Sequence, residues 1–164
     1  CISPFYYKDR VREAIIRFKF SGAQSYSRRF GTFMADCAEN NLDCGSIDMV
    51  SCIPLTRKRL RSRGYNQAEL LAREISAAAG IPFADTLKKT RGNSVQSKIK
   101  DRKKRAANVI GAYEVIDPGL IRGRTVLLVD DVVTTGSTMS ECARMLRRAG
   151  AACIYGISIA RHED

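Results

Sequence analysis

The stretch TVLLVDDVVTTGST, residues 125–138, joins an apolar run to two adjacent carboxylates and a turn rich in hydroxyl groups. A continuous apolar run of this kind is typical of a strand that is buried on both faces. Residues 137–149 continue with apolar side chains at helical spacing, and residues 153–160 have the composition of a further strand. A strand, a helix and a strand with short connections predict a right-handed βαβ unit in a parallel sheet. The fold is therefore predicted to be α/β, with Asp130 and Asp131 where a buried strand ends.

Four segments toward the N-terminus continue this alternation of helices and strands. Residues 11–19 are rich in helix formers, and apolar residues recur at helical spacing over residues 25–39. The segment IDMVSCI, residues 47–53, predicts a strand that stops at a proline. Residues 66–80 then predict a helix closed by Gly80. Because ligands of parallel sheets bind beyond the carboxyl ends of the strands, the segment that follows residue 53 is a second candidate for the binding site.

The basic residues are concentrated in two segments. The chain has 28 Lys and Arg against 17 Asp and Glu, a formal net charge of +11. Residues 57–63, RKRLRSR, and residues 88–105, KKTRGNSVQSKIKDRKKR, together hold 14 of these basic residues and a single acid. The rest of the chain is therefore close to neutral. Such clusters indicate an anionic partner, either a polyphosphate or a nucleic acid, and a solvated cationic face is the alternative interpretation.

The composition favours one domain over residues 1–164, in the cytoplasm and without a membrane segment. No apolar stretch approaches the roughly 20 residues needed to span a bilayer. The first residues, CISP, have neither the charged start nor the apolar core of a signal peptide. None of the six cysteines forms a CxxC pair, which argues against a structural zinc site within these residues.

The turn after the two acids has the composition of a phosphate cradle. A loop that leads from a strand into a helix presents unpaired backbone N–H groups and the positive end of the helix dipole. Gly136 allows the backbone to approach an anion closely. Hydroxyl donors come from four further residues of the turn: Thr134, Thr135, Ser137 and Thr138. A purely local helix cap would use the same residue types, so the turn by itself leaves both interpretations open.

The two acids require a part of the ligand other than the phosphate, which they would repel. Carboxylates only accept hydrogen bonds, so Asp130 and Asp131 suit hydroxyl donors or a metal ion. A sugar with a vicinal diol and a phosphate satisfies both halves of the motif, and ribose 5-phosphate is the simplest such ligand. Two solvated acids at a strand end are the alternative. The chain contains neither GxxxxGK[ST] nor GxGxxG, which excludes Walker-type and dinucleotide-binding sites.

The motif VLLVDDVVTTGST resembles the phosphoribosyl pyrophosphate (PRPP) signature of type I phosphoribosyltransferases. Together with this motif, three other stretches resemble the ComF family, which is associated with DNA uptake in competent bacteria. They are DRVREAIIRFKFSG (9–22), IPLTRKRLRSRGYNQAELLAREI (53–75) and SKIKDRKKRAANVIGAY (97–113). ComF proteins usually carry a four-cysteine zinc module before this domain, and at most Cys1 remains of it here.

The resemblance covers nearly the whole chain and implies a fold and a set of site residues. The fold would be a mainly parallel sheet of about five strands flanked by helices, with a small hood over the ligand. Hood and edge elements would occupy about residues 1–45, and a mobile loop about residues 88–108. Asp130 and Asp131 would hold the ribose hydroxyls, and the turn at residues 134–138 would bind the 5-phosphate.

The remaining assignments concern pyrophosphate and magnesium. The resemblance implies a pyrophosphate loop after the strand that ends near residue 53, with these binding residues: Leu55, Thr56, Arg57 and Arg63. A lid over the reacting centre would use the second basic segment: Lys98, Arg102, Lys103 and Arg105. Mg²⁺ would bind through PRPP, with Asp130 and Asp131 as its candidate protein ligands.

Two functions follow as hypotheses from the resemblance and the charge pattern. The first is Mg²⁺-dependent transfer of phosphoribose from PRPP to an unidentified acceptor, with release of pyrophosphate. The second is a non-catalytic PRPP-sensing or DNA-associated competence protein whose basic segments bind DNA weakly and without sequence preference. No nucleophile or general base is evident, and His162, the only histidine, lies near the C-terminal end. Phosphoribosyl transfer depends mainly on positioning and electrostatics, so both hypotheses stay open, and an oligomer is compatible with either.

Overall fold

The structure is a computed structural model that describes residues 1–20, 24–90 and 109–163. Its strands are β1 (Phe5–Tyr6), β2 (Met49–Cys52), β3 (Leu87–Lys89), β4 (Tyr113–Val115), β5 (Thr125–Val133) and β6 (Cys153–Arg161). Its α-helices are α1 (Asp9–Phe20), α2 (Tyr26–Asn41), α3 (Arg57–Arg63), α4 (Gln67–Ala79), α5 (Pro118–Ile121) and α6 (Ser137–Arg148). A 3-10 turn covers Cys44–Ser46. No helix in these ranges is long and apolar enough to cross a membrane.

The main sheet has the strand order β1-β6-β5-β2, and all neighbouring strands are parallel. Beyond β2, Phe83 forms a single parallel bridge with Val50, held by backbone hydrogen bonds from Val50 N–H to Pro82 and from Ala84 N–H to Val50. In the described residues the main sheet thus has four strands and two isolated bridges, Val50–Phe83 and Ile2–Ile157, where about five strands were predicted. β3 and β4 form a separate antiparallel hairpin. The prediction of an α/β fold with a mainly parallel sheet is confirmed.

Helices cover both faces of the main sheet. Leu127 and Val129 of β5 belong to an apolar cluster with residues of α1, α2 and α4. The alternating residues Val126 and Leu128 belong to a second cluster with residues of α6 and the β3–β4 hairpin. The helix that follows β5 therefore lies on the opposite face from α4, which follows β2 and α3. In α/β sheets this reversal opens a crevice at the carboxyl ends of the two neighbouring strands, which is where ligands bind.

The two adjacent acids lie inside β5, whereas the sequence predicted them after its end. β5 pairs with β6 as far as Val133 and Arg161, but its pairing with β2 stops at Cys52 and Val129. The prediction of the strand end was wrong because β6 supplies a hydrogen-bonding partner that the local sequence does not reveal. The strand β6 thus holds the segment that contains both acids, and this segment lies beyond the point where pairing with β2 ends.

The predicted loop at about residues 88–108 overlaps the hairpin at its start. Lys88 and Lys89 belong to β3 and pair with residues of β4, and residues 91–108 lie outside the described ranges. The first basic segment, residues 57–63, folds as α3. Thr56 caps this helix, because its hydroxyl oxygen accepts a hydrogen bond of 3.3 Å from the Arg59 backbone N–H.

The close packing of α2 on α4 depends on a glycine. A Cβ atom at Gly31 would lie 2.4 Å from Cβ of Glu74, which is too close for two carbon atoms. We expect the substitution Gly31→Ala to lower the free energy of unfolding by up to about 2 kcal/mol, because an overpacking cost of about 1–3 kcal/mol outweighs the helix-propensity gain of roughly 1 kcal/mol. Urea denaturation measures this change. In the control Gly45→Ala the new Cβ would meet Asp43 at 3.5 Å, an ordinary contact; a Gly31→Ala chain as stable as this control would contradict the prediction.

Candidate functional site

The two acids of β5 face opposite sides of the sheet, because successive side chains of a strand alternate. Asp131 continues the face that packs on α1 and α4, and its carboxylate forms an ion pair of 2.8 Å with Nζ of Lys19. Only 18% of the Lys19 side chain and 15% of the Asp131 side chain are exposed. Asp130 continues the face that packs on α6 and the β3–β4 hairpin. The acid pair therefore reaches two different environments.

Asp130 is a carboxyl group whose charge the surroundings disfavour. Burial raises the pKa of Asp130 to about 7, and repulsion from Asp131 adds to this effect. Three smaller effects lower the pKa: a 2.8 Å hydrogen bond from the Asp131 backbone N–H, and the positive charges of Lys19 and Lys89. A ligand that supplies hydroxyl donors or positive charge here would favour the ionised carboxylate.

Lys89 brings a partly buried cation to the same side as Asp130. Its ammonium group donates a hydrogen bond of 2.8 Å to the Tyr113 hydroxyl and lies 4.7 Å from the centre of that ring. Tyr113 is itself buried. Burial lowers the pKa of Lys89, and the nearby positive charge of Arg59 lowers it further. The sequence assigned Lys89 to the second basic segment and to the loop at about residues 88–108, and the structure places it in the hairpin beside the buried Tyr113.

The turn at residues 134–138 leads into α6, whose N-cap residue is Gly136 and which has no side-chain cap hydrogen bond. Gly136 has a φ of +71°, a conformation that favours glycine. The hydroxyl groups of Thr135 and Ser137 are 2.8 Å apart, and the Ser137 backbone N–H approaches Thr135 Oγ1 at 3.4 Å. The first backbone bond of α6 runs from Ser140 N–H to the Gly136 carbonyl at 2.8 Å. The N–H groups before it lie at the positive end of the 12-residue helix, where an anion is favoured.

A small cationic pocket lies between α1 and α3. Its volume is about 150 Å³, and its lining is formed by Lys19, Phe20, Arg59, Ser62 and Arg63. Three of these five residues are basic and none is acidic. Lys19 also forms the ion pair with Asp131, so the pocket directly adjoins one of the two acids. A polyanion is the ligand that such a pocket favours.

Contacts between the end of α1 and the α3–α4 connection fix the walls of this pocket. Arg63 donates a hydrogen bond of 2.9 Å to the Gln67 side-chain oxygen, and its guanidinium group lies 5.1 Å from the centre of the Phe20 ring. The Tyr65 hydroxyl donates a hydrogen bond to the backbone carbonyl of Phe18. These contacts hold the end of α1 against α3 and the α3–α4 connection beside the pocket.

The structure places the residues of the predicted pyrophosphate loop at the carboxyl end of β2. Leu55 and Thr56 are half-buried, and Arg57 is exposed at the first position of α3. Arg63 lines the cationic pocket. The lid residues predicted from sequence lie outside the described part of the chain: Lys98, Arg102, Lys103 and Arg105.

Sequence reasoning missed the site positions of Lys19, Arg59 and Lys89. Arg59 was counted within the run at residues 57–63, but composition does not show which members of the run line the pocket. Lys19 belongs to the stretch FKFSG that carried part of the family resemblance, and this was the one signal that could have drawn attention to it.

The donor set of the site fits a divalent metal that is shared with a ligand. Within the described ranges, no group of three or more His, Cys, Asp or Glu side chains is placed to hold a metal. Mg²⁺ is commonly bound through one or two carboxylates, with water and substrate phosphates completing its six ligands. The carboxylates of Asp130 and Asp131 can supply such oxygens.

Comparison with known proteins identifies the class of this chain. The phosphoribosyl transferase domain family matches residues 35–163, and the chain belongs to this family. Within the family it is a ComF-type domain, as its curated relatives show. The competence protein ComFC of Streptococcus pneumoniae is 28% identical over 157 residues, which cover 96% of this chain and 66% of that protein.

Two further relatives match a shorter part of the chain. The DNA utilization protein YhgH of Escherichia coli O157:H7 is 35% identical over 108 residues, 65% of this chain and 46% of that protein. Competence protein F of Haemophilus influenzae is 34% identical over 110 residues, 66% of this chain and 48% of that protein. The chain thus spans between about half and two thirds of the length of these relatives.

The solved structures with a similar fold confirm the architecture. Glutamine PRPP amidotransferase from B. subtilis superimposes with a TM-score of 0.55 over 82% of this chain and 26% of that chain, at 23% identity. The allosteric regulatory enzyme of purine biosynthesis gives the same TM-score over 83% of this chain and 26% of its own, at 22% identity. At these identities the likeness concerns the fold alone.

The raised pKa of Asp130 leads to a pH-dependent stability. Folding raises this pKa from 3.8 to about 7. Protonation of the carboxyl therefore stabilises the folded state below about pH 4, and this stabilisation is lost as the pH rises through 7. We expect Asp130→Asn, which cannot ionise, to gain stability relative to wild type between pH 5 and pH 8, on the order of 2 kcal/mol. Urea unfolding in metal-free buffer measures the difference, with Asp36→Asn on the exposed side of α2 as the charge control. Parallel pH profiles for Asp130→Asn and wild type would contradict the assignment.

Proposed function

We propose that this chain binds PRPP and Mg²⁺ and transfers the phosphoribosyl group to an acceptor, with release of pyrophosphate. The observation that carries the proposal is the position of Asp131. Its strand leads directly into the turn at residues 134–138, and its carboxylate contacts Lys19, which lines the cationic pocket. These three parts would match PRPP in order. The turn would bind the 5-phosphate, Asp131 would accept hydrogen bonds from the ribose hydroxyls, and the cationic pocket would bind the pyrophosphate. Membership of the phosphoribosyl transferase domain family supports the same ligand.

The ribose 5-phosphate half of the ligand would use β5 and the turn before α6. The backbone N–H groups at the start of α6 and the hydroxyls of residues 134–138 would donate to the phosphate oxygens. The carboxylates of Asp130 and Asp131 would accept hydrogen bonds from the ribose hydroxyls, and this interaction would favour the charged form of Asp130. The rigid pairing of β5 with β6 supports fixed positions for both acids.

The pyrophosphate half would use the segment that follows β2. Arg59 and Arg63 of the pocket, together with Leu55, Thr56 and Arg57 at the strand end, form the proposed pyrophosphate site. During transfer the bond between C1 and the pyrophosphate oxygen breaks, and pyrophosphate keeps the electron pair. Its negative charge grows as it leaves, so the basic side chains stabilise the transition state more than the ground state.

Completion of the reaction requires an acceptor with a free electron pair, which forms the new bond to C1 and gives up a proton to solvent or a bound group. When bound, Mg²⁺ would offset part of the charge on the pyrophosphate and help to hold the ribose oxygens. The side chains of this site position the ligand and supply charge.

Calorimetry of PRPP binding in the presence of Mg²⁺ tests the proposal. A hydrogen bond to a charged group contributes roughly 1.5–3 kcal/mol, so Asp131→Asn should weaken PRPP binding about tenfold or more. The control is Asp36→Asn, which makes the same chemical change at an exposed position of α2. An affinity unchanged by Asp131→Asn would refute the role of this carboxylate. Absence of heat and of thermal stabilisation with millimolar PRPP for the wild type would refute the proposed ligand.

The names of the relatives favour DNA association as a second function. Two are competence proteins and one is a DNA utilization protein. The helix α3 also carries two exposed basic residues that belong neither to the pocket nor to the proposed pyrophosphate site, namely Lys58 and Arg61. In this second role the chain would bind PRPP without turning it over and would contact the DNA backbone through its basic segments. Assay of pyrophosphate release with candidate bases and amines distinguishes turnover from binding alone.

We expect DNA binding to be weak, independent of sequence and sensitive to salt. Replacing both Lys58 and Arg61 with Gln should weaken binding and reduce the slope of log K against log[salt] by about 2, since each phosphate contact contributes about 0.9. The matched control replaces Arg28 and Arg29, two exposed residues of α2, with the same net change in charge. Fluorescence anisotropy with a labelled duplex measures both variants. Equal slopes for the two variants would show that α3 is not a DNA contact.

A further inference from the structure

We propose that Lys19 serves both halves of the site in turn: its ammonium group competes with a divalent cation for Asp131, and it binds pyrophosphate in the adjoining pocket once the carboxylate is taken. This inference rests on the proposed function, but it adds a ligand-binding residue and a competition that PRPP binding by itself does not require.

The ion pair of Lys19 with Asp131 is more shielded than the other lysine pairs of the described residues. Its nitrogen and oxygen are 2.8 Å apart, with 18% and 15% of the side chains exposed. The side chains of the pairs Lys8–Glu163 and Lys88–Glu114 are all more than half exposed. A shielded carboxylate that loses its partner cation is destabilised unless another cation replaces it. Lys19 and a divalent metal therefore compete for one negative group.

The second part of the inference depends on the pocket that Lys19 also lines. Arg59 and Arg63 lie in the same 150 Å³ pocket, and Asp131 offsets one of the three positive charges by its contact with Lys19. When a metal takes the carboxylate, that positive charge is no longer offset, and the pocket favours a polyanion more strongly. A lysine is suited to such an exchange because its charge lies at the end of a flexible stem with three donors.

The backbone around Lys19 is fixed, which limits the exchange to its side chain. Phe18 is fully buried, and its carbonyl accepts the hydrogen bond from Tyr65. On the other side, the ring of Phe20 lies against the guanidinium group of Arg63. Rotation of the Lys19 side chain between the carboxylate and the pocket therefore requires no movement of α1.

The competition gives effects of opposite sign in a single variant. In Lys19→Met the carboxylate of Asp131 loses its competing cation, so binding of Mn²⁺ alone should tighten about tenfold. Binding of pyrophosphate in EDTA should weaken about tenfold, because the negative charge of Asp131 beside the pocket is then no longer offset. Calorimetry measures both ligands separately. The control Arg17→Met removes an exposed positive charge from the same turn of α1. It should change the two affinities only as far as the loss of one positive charge from the whole chain changes them. An ion pair that only holds α1 to β5 would, when broken, leave both affinities unchanged or weaken both, and either result overturns the proposal.

Asp131→Asn provides the complementary test and does not depend on the folding of the lysine variant. It removes the partner of Lys19 and keeps the lysine, so pyrophosphate binding in EDTA should tighten while Mn²⁺ binding is lost. Weaker pyrophosphate binding by this variant would overturn the proposal. A wild-type chain that binds PRPP with Mg²⁺, together with variants that fail these tests, would refute only the exchange by Lys19. A wild-type chain that binds neither PRPP nor pyrophosphate would refute the proposed function as well.

Discussion

The site depends on the unequal pairing of β5 with its two neighbours. β2 stops beside Val129, whereas β6 continues to pair as far as Val133. Asp130 and Asp131 are therefore held in an extended backbone by one strand and open toward the crevice on the side where the other has ended. Since α4 and α6 cover opposite faces of the sheet, this crevice lies where the helices diverge. The acids, the helix-start turn and the basic helix α3 meet there for that reason.

Alternation along β5 gives the two acids different electrostatic environments. Asp131 meets Lys19, and the pair continues into a cationic pocket. Asp130 faces the buried side of the hairpin, where desolvation holds its pKa near 7 and the charge of Lys89 offsets part of that effect. Although the two residues are adjacent and chemically identical, Asp131 is paired with a cation and Asp130 has a raised pKa. A ligand that carries both hydroxyl donors and anionic groups matches this division.

The hydroxyl-rich turn shows why a motif can support two interpretations at once. Thr135 and Ser137 form hydrogen bonds within the turn, as a purely structural role would require, but the N-cap position of α6 is Gly136 and has no side-chain cap. The same geometry leaves the helix start with its positive end toward the crevice, as an anion site would require. The choice between these roles comes from the surroundings of the turn: the acids on one side and the basic pocket beyond them.

The sequence by itself determined the α/β class, the helices at α1, α2, α4 and α6, and the combination of acids with a hydroxyl-rich turn, because apolar spacing and neighbouring residues carry that information. It did not show where β5 ends, since the pairing that extends it comes from β6. Nor did it identify Lys19, Arg59 and Lys89, because each reaches the site from a segment distant in sequence or from within a run of similar charges. Only the tertiary structure decided which cation meets which acid, because burial and opposing partners, rather than composition, fix the position of a charged side chain.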